Sequence, residues 1–272
     1  SSTLMPRQVP PPPASPVRPP AFIIDNELHL RIRTADGQSL EALGRFPHSA
    51  SHVVVLCHPH PLYGLYSGTM HNAIVVFPAK ALYDIASNSI ATLRFNYRGV
   101  EASSGAYDNG KGEVRDVIAA IDEAIQRTPR AAISVVGYSF GSWVGLRAAR
   151  QRSQVERVVL IAPAMRLFDY EQELAGSRQI PTEMLVGNDD DFVTVADARG
   201  LAASLGARLH VLENADHFFD ENPEIASRFQ VRSIPLLIAF HDEDKIASQV
   251  GALPAAQLRA WVEKALQIAH SS

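Results

Sequence analysis

The stretch VVGYSFGSW, residues 135–143, decides how this chain folds. Its centre, Gly-Tyr-Ser-Phe-Gly at 137–141, comes directly after an apolar run typical of a buried strand and directly before a helical pattern. A Gly-x-Ser-x-Gly sequence in that position predicts a turn so tight that the serine backbone is strained and larger flanking side chains would clash. The hydroxyl then stands above the edge of a sheet, at a helix start whose dipole favours negative charge. The pattern predicts a nucleophile at Ser139, and a glycine-flanked turn without chemistry is the alternative.

Outward from this turn, short apolar runs alternate with helical patterns. Runs rich in β-branched residues are typical of strands buried on both faces of a sheet. They are HVVVLC (52–57), IATLRFN (90–96), AISVVG (132–137), VERVVLIA (155–162), TEMLVG (182–187) and RLHVLE (208–213). Helical patterns fill the gaps at 69–87, 113–127, 140–152 and 194–205.

The first strands have a different pattern. ELHLRIR (27–33) and LEALGRF (40–46) alternate apolar and polar residues, as an antiparallel hairpin does. The strand–helix repetition that follows, with right-handed crossovers, gives a parallel sheet. We therefore predict an α/β fold with a doubly wound, mostly parallel sheet that is covered on both sides. Its site is expected where the loops meet at the carboxyl ends of the strands.

The composition narrows the class of protein. The 272 residues carry a formal net charge of −4 and are 46% apolar, which is ordinary for a globular protein and provides no basic face for nucleic acid. The single cysteine, Cys57, excludes an internal disulfide and a Cys-x-x-Cys redox pair. No apolar run reaches the roughly 18 residues of a membrane helix, and the N-terminus has no signal-peptide layout. We expect a cytoplasmic protein of one or two domains, without nucleic-acid or membrane partners.

Residues 1–22 are rich in proline and have almost no apolar periodicity. A segment of this kind cannot form a core, so we predict an extended, disordered tail. A polyproline ligand is the functional alternative.

Candidates for the general base and its partner follow two later strands. MLVGNDDDFV (184–193) ends one strand with three carboxylates, and LENADHFFD (212–220) ends the next with His217. A serine nucleophile needs a base and a group that holds the base. The chain order of serine, aspartate and histidine is that of the α/β-hydrolase triad.

The chain resembles the α/β-hydrolase superfamily over about residues 25–220, and more narrowly its small dienelactone-hydrolase-like branch. The matching stretches are CHPHPLYG, GTMHNAIV, ATLRFNYRGV, GKGEVRD, GYSFG, GNDDDFV and ADHFF. In the family pattern Gly-x-x-Asp the triad acid comes three residues after the glycine that ends the strand, which here selects Asp190 after Gly187. A slip of one residue would make the acid Asp191.

Two N–H groups must hold the oxyanion of the tetrahedral intermediate. One belongs to the residue after the nucleophile, Phe140. By resemblance the second comes from the loop after VVVLC, two residues past His58. Pro59 has no N–H, so the backbone of His60 is the predicted donor.

The same loop allows a different interpretation, because Cys57, His58, His60 and His71 are all possible metal ligands. However, Cys57 ends a buried strand, and His58-Pro59-His60 occupies the oxyanion loop. Backbone geometry explains these residues without a metal. We expect neither a metal nor an organic cofactor.

Two other loops bear on the shape of the site. Arg98 and Gly99 match the family, where they shape the loop beside the active site, whereas Glu101 stands where a glycine is usual. Only the sixteen residues MRLFDYEQELAGSRQI (165–180) separate two of the strands, which leaves room for at most one helix and no large lid. We expect an open, shallow site for small soluble esters. Candidates for its acyl or alcohol pocket, with ordinary packing as the alternative, are Leu62, Tyr63, Phe168 and Tyr170.

From about Asp220 to Leu266 the sequence resembles a second family, the C-terminal half of thioredoxin. The resemblance includes a helix at 223–229, Ile234-Pro235, two strands around HDEDK (241–245) and an amphipathic helix at 254–268. It implies a cis peptide between Ile234 and Pro235. The thioredoxin half that carries Trp-Cys-x-x-Cys is absent, so no dithiol can exchange.

We therefore divide the chain into the tail, an α/β-hydrolase catalytic domain (23–221) and a partial thioredoxin-like segment (222–272). A fragment of about 50 residues rarely buries enough surface to be stable alone. Its predicted hairpin also has unpaired edges and the apolar stretch IPLLIAF. It either packs on the hydrolase body or pairs with a second copy, and we expect a homodimer through this segment.

These features predict a serine carboxylesterase that hydrolyses small, short-chain esters. Ser139 would attack, His217 would take its proton, Asp190 would orient the imidazole, and the N–H groups of His60 and Phe140 would hold the oxyanion. A thioesterase, a lactone hydrolase or a peptidase would use the same groups. The alternative from another class is a catalytically impaired fusion that acts as a scaffold or interaction protein, because His217 stands directly before the thioredoxin-like sequence.

Overall fold

The computed structural model describes residues 24–62, 68–170 and 178–219, together with the backbone of two strands at 236–241 and 244–250. Several predicted features lie outside these residues: the tail at 1–22, the helices at 223–229 and 254–268, and the Ile234-Pro235 peptide. The three-part division of the chain and the homodimer stay predictions.

The described residues form ten strands and four helices. The strands are β1 (Leu28–Arg33), β2 (Ser39–Arg45), β3 (His52–Cys57), β4 (Ile90–Phe95), β5 (Ala132–Tyr138), β6 (Val155–Ile161), β7 (Thr182–Gly187), β8 (Arg208–Leu212), β9 (Leu236–His241) and β10 (Asp244–Val250). The helices are α1 (Ala73–Ala86), α2 (Lys111–Arg127), α3 (Phe140–Arg150) and α4 (Val195–Leu205). In this part of the chain, every helix is too short or too polar to span a lipid bilayer.

Eight strands form one sheet in the order β1-β2-β4-β3-β5-β6-β7-β8. The first two pairings, β1 with β2 and β2 with β4, are antiparallel, and the others are parallel. The doubly wound, mostly parallel sheet and its leading hairpin are thus confirmed. β9 and β10 form a separate antiparallel hairpin, at the place where two strands were predicted around 241–245.

Helices cover both faces because the buried strands are apolar on both sides. Along β3, Val53 and Val55 join the cluster under α2, α3 and α4, whereas Val54 and Leu56 join the cluster under α1. Successive side chains of a strand point to opposite faces, so a continuous apolar run serves both layers. This arrangement places the carboxyl ends of β3, β5, β7 and β8 at one edge of the sheet.

Two helices, α1 and α4, begin where a polar side chain caps them, and apolar periodicity could not show this. The pattern at 69–87 predicted a helix that starts before the observed one, because Asn72 accepts the N–H of Ile74 and sets the start of α1 at Ala73. In the same way Thr194 accepts the N–H of Asp197 and caps α4. These are shifts of a few residues, and the helices themselves are where they were predicted.

Candidate active site

Ser139 occupies the turn between β5 and α3 with a strained backbone, at φ 54° and ψ −116°. The turn needs both of its glycines because of close packing. A Cβ on Gly137 would overlap the carbonyl of Gly141, and a Cβ on Gly141 would overlap the carbonyls of Cys57 and His58. The turn that carries Ser139 is therefore packed directly against the loop that follows β3.

The backbone of Ser139 is held by hydrogen bonds on both sides. Its N–H donates to the carbonyl of Ile161 (2.9 Å), and its own carbonyl accepts both the N–H (3.0 Å) and the hydroxyl (2.6 Å) of Ser142. The Tyr170 hydroxyl lies 2.6 Å from the Ser142 oxygen. Because the only hydroxyl hydrogen of Ser142 points to Ser139, Tyr170 must donate. A chain of two hydroxyls thus anchors the turn.

This contact favours the packing alternative for Tyr170. The residue is buried in the hydrophobic core, and burial raises the pKa of its hydroxyl above its ordinary value. Its described contact supports the serine turn, and its role in a pocket stays a prediction.

The structure brings His217 and Asp190 to Ser139. The Ser139 hydroxyl oxygen lies 2.9 Å from Nε2 of His217, and Nδ1 of the same ring lies 2.8 Å from Oδ2 of Asp190. A carboxylate only accepts, so Nδ1 carries the hydrogen and Nε2 is the acceptor for the serine hydroxyl. All three residues are buried. A serine, a neutral imidazole and a carboxylate in this arrangement can generate a nucleophile.

The geometry separates the candidate acids. Asp190 is buried, and its second oxygen, Oδ1, accepts the N–H groups of Phe192 (2.7 Å) and Val193 (3.2 Å). Asp191 is exposed, and its carbonyl accepts a hydrogen bond from Arg166. Asp190 alone of the two is bonded to the imidazole among the described contacts.

Contacts with other described parts of the chain anchor the loop that carries His217. The hydroxyl of Tyr138, next to the nucleophile, donates to the His217 carbonyl (3.0 Å). The N–H of Asp189 donates to the carbonyl of Ala215 (3.0 Å), which links this loop to the loop of the acid. Phe219 is 1% exposed and packs in the cluster under α1. These contacts hold His217 beside Ser139, so the thioredoxin-like sequence does not displace it.

Two phenyl rings that were not predicted flank the imidazole. The ring centroid of Phe192 lies 4.4 Å from that of His217, and the ring of Phe218 meets the imidazole edge-on at 5.2 Å. The only sequence signal for them was their place beside Asp190 and His217, in DDDFV and DHFF.

The loop after β3 is held by its histidine side chains. Nε2 of His58 accepts the N–H of Tyr97 (3.2 Å), so Nδ1 carries the hydrogen and donates to the carbonyl of Pro59 (2.8 Å). Burial lowers the pKa of His58 to about 3, so the ring is neutral at physiological pH. The His60 ring accepts the N–H of Leu62 (3.2 Å) and bonds the hydroxyl of Tyr107 (3.0 Å).

His60 and Phe140, the two predicted oxyanion donors, are neighbours, with ring centroids 5.1 Å apart. Their backbone N–H groups come from the loop after β3 and from the first residue of α3, which meet beside Ser139. Their role as donors stays a prediction. Within the described residues, no group of three or more histidine, cysteine or acidic side chains is arranged to hold a metal ion.

The predicted pocket residues have different surroundings. Leu62 lies in the loop after β3 and is 67% exposed. Phe168 is half-buried between Trp143, at 4.8 Å, and His60, at 6.2 Å, and is stacked on both rings. Tyr63 lies outside the described residues.

Glu101, where the family has glycine, adopts a left-handed backbone with φ 46°. Its carboxylate accepts a hydrogen bond from Nδ2 of Asn96 (3.0 Å) and lies 3.8 Å from Nε2 of His71. The loop therefore keeps a conformation that favours glycine, and the glutamate side chain bonds within it.

Comparison with known proteins agrees with this fold. A family model described as serine hydrolase matches residues 106–224. The uncharacterized protein RP471 of Rickettsia prowazekii is 32% identical over 185 residues, which are 65% of this chain and 75% of that protein.

Solved structures share the architecture. A putative α/β hydrolase of unknown function from Agrobacterium tumefaciens is 27% identical with a TM-score of 0.66, over 74% of this chain and 91% of that one. An α/β serine hydrolase homologue from Coxiella burnetii is 29% identical with a TM-score of 0.65, over 78% and 99%. A serine hydrolase without a lid from Xanthomonas campestris, at 24% identity, TM-score 0.64 and 76% and 92% coverage, shares the fold.

A separate similarity concerns a shorter part of the chain. The thioredoxin of Rhodospirillum rubrum is 43% identical over 63 residues, which are 23% of this chain and 58% of that protein. The similarity is thus to a fragment of a thioredoxin. The larger similarity covers the eight-stranded sheet and the Ser139 site, and by it the chain belongs to the serine hydrolases of the α/β-hydrolase superfamily.

Proposed function

We propose that this serine hydrolase is a carboxylesterase that acts on small, short-chain esters through an acyl-enzyme. The observation that carries the proposal is the continuous line of hydrogen bonds from Ser139 through His217 to Asp190, at 2.9 and 2.8 Å. A buried serine needs such a line to lose its proton as it attacks. A turn without chemistry does not need it.

The proposed reaction has two halves, formation of the acyl-enzyme and its hydrolysis, and each group acts once in each half. The Ser139 oxygen attacks the ester carbonyl carbon while Nε2 of His217 takes the hydroxyl proton, and Asp190 stabilises the imidazolium that forms. The N–H groups of His60 and Phe140 hold the oxyanion. The imidazolium then gives its proton to the departing alcohol, and water repeats the sequence to release the acid.

The short connection between β6 and β7 supports a small substrate. Twenty residues lie between Ile161 and Thr182, which is too few for a large lid. Without a lid, a long acyl chain would have little apolar surface to bury against. A short ester has less apolar surface to bury, so it loses less binding free energy when the lid is absent.

Short-chain chromogenic esters test the proposal. Ser139→Ala should abolish turnover and labelling by a fluorophosphonate probe, because it removes the oxygen that lies 2.9 Å from Nε2 of His217. Ser204→Ala, a matched change of an exposed serine in α4 that bonds the carbonyl of Gly200, should leave both unchanged. Folded wild-type protein that neither hydrolyses these esters nor takes up the probe would contradict the proposal and favour an interaction protein.

A further inference from the structure

The rings of Phe192 and Phe218 stand beside the imidazole and meet each other edge-on at 6.1 Å. Both are half-buried, so each has one part packed against the protein and another part at the surface. They lie directly against His217, which is 4% exposed. Together with the imidazole they form an apolar surface at the mouth of the site.

Each ring is held by the loop that carries a triad residue. The backbone N–H of Phe192 donates to Oδ1 of Asp190 (2.7 Å), the carboxylate that holds the imidazole. The backbone N–H of Phe218 donates to the Asp216 side chain (3.0 Å), directly after the histidine. The backbone of each phenylalanine is therefore held by a hydrogen bond within the loop that carries Asp190 or His217.

The chemistry of the reaction identifies what meets these rings. The leaving alcohol oxygen receives its proton from Nε2 of His217, so it must come within hydrogen-bond reach of that atom. The carbonyl oxygen points instead to the start of α3, where Phe140 and His60 lie. The first carbons of the alcohol thus emerge on the imidazole side of the site, where the two phenyl rings stand.

We propose that Phe192 and Phe218 form the subsite for the alcohol group of the ester and select an apolar alcohol, such as an aryl or alkyl group. This inference rests on the proposed esterase function and adds the class of alcohol. An apolar alcohol loses water against the two rings, whereas a charged or hydroxylated one gives up hydrogen bonds to water that phenyl rings cannot replace.

Two esters of one acid, methyl butyrate and benzyl butyrate, isolate this preference. Both form the same butyryl-enzyme, so the ratio of their kcat/KM values reports only contacts to the alcohol. Removal of an apolar contact in such a pocket changes selectivity by about tenfold or more. Phe192→Ala and Phe218→Ala should each lower the benzyl-to-methyl ratio by about this factor, and the rate of butyryl-enzyme hydrolysis should not change, because the alcohol has already left.

The matched control is Leu167→Ala, which removes another apolar side chain that is 50% exposed, from the loop after β6. Its ratio should equal that of the wild type. Phe192→Leu covers the case in which the alanine variant does not fold, since leucine keeps an apolar side chain and should retain most of the preference.

An equal fall in kcat/KM for both esters in the phenylalanine variants would overturn the proposal, because the rings would then only support the imidazole. A change of the ratio in Leu167→Ala as large as in Phe192→Ala would overturn it as well. Failure of the esterase function itself is distinguishable: the wild type would then hydrolyse neither ester and form no butyryl-enzyme on Ser139.

Discussion

The two sides of the candidate triad are held in different ways. The nucleophile side, residues 137–142, depends on backbone packing: Ser139 is strained, and a Cβ added to Gly137 or Gly141 would overlap backbone carbonyls. The base side, the loops 188–193 and 213–219, depends on hydrogen bonds between segments that are distant in sequence, such as Asp189 with Ala215.

This difference has a physical consequence. Close backbone packing tolerates no added atom, so a small change on the nucleophile side should cost stability. The hydrogen bonds of the base side orient side chains, so a change there should cost rate with less effect on folding. Tyr138 connects the two sides, because it lies beside Ser139 in the chain and its hydroxyl bonds the carbonyl of His217.

The largest effect is expected from the base side. Asp190→Asn should lower kcat by about 10⁴-fold, as loss of the carboxylate in a serine triad typically does, because the amide cannot hold the imidazole in the required tautomer. The fold should be retained. Asp191→Asn is the matched control, since that side chain is exposed, and its kcat should stay near the wild-type value. Steady-state kinetics on one ester measures both, and equal losses in the two variants would contradict the assignment of Asp190.

Next comes the packing of the nucleophile side. Gly137→Ala places a Cβ against the backbone of Gly141 and should destabilise the fold by about 3 kcal/mol or more, because backbone atoms in a packed turn cannot move aside. Gly200→Ala in α4 meets nothing within 4 Å and should stabilise by up to about 1 kcal/mol. Urea denaturation measures the free energy of unfolding of both variants. A Gly137→Ala variant as stable as the wild type would contradict the prediction.

Acid sensitivity should come in part from the loop after β3. Burial lowers the pKa of His58 to about 3, so between that pH and about 6.5 the unfolded chain binds a proton that the folded chain does not. The free energy of unfolding is therefore highest above about pH 7 and decreases as pH falls, by about 2 kcal/mol between pH 7 and 5 from this group. Denaturation at both pH values should show a smaller loss in His58→Gln. An equal loss of unfolding free energy in both proteins would show that His58 is not a source of the acid sensitivity.

The smallest effect is expected where the two sides meet. Tyr138→Phe removes the hydrogen bond to the His217 carbonyl and should cost about 1–2 kcal/mol of stability, because a buried carbonyl loses its partner. It should also lower kcat modestly with KM unchanged, since the base loop is less firmly placed. Thermal unfolding and steady-state kinetics would detect the change. A variant identical to the wild type in both would show that this bond does not position the base.

The two sides also differ in how far sequence could predict them. Ser139 was predictable because the glycines, the preceding strand and the following helix are all within ten residues. The family pattern favoured Asp190, but it left Asp191 open, since three adjacent carboxylates look alike until one is bonded to an imidazole 27 residues away. The contact of Tyr170 could not be predicted for a similar reason, because its partner, Ser142, lies 28 residues before it.

The sequence alone determined the α/β class, the sheet with its leading hairpin, the serine turn and the order of the three triad candidates, because these depend on local periodicity and on glycines that a tight turn requires. Only the tertiary structure decided which carboxylate meets His217, that Phe192 and Phe218 flank it, and that the hydroxyl of Tyr138 bonds the carbonyl of His217. Those features depend on contacts between distant segments, and such contacts exist only once the sheet has brought the ends of its strands to one edge.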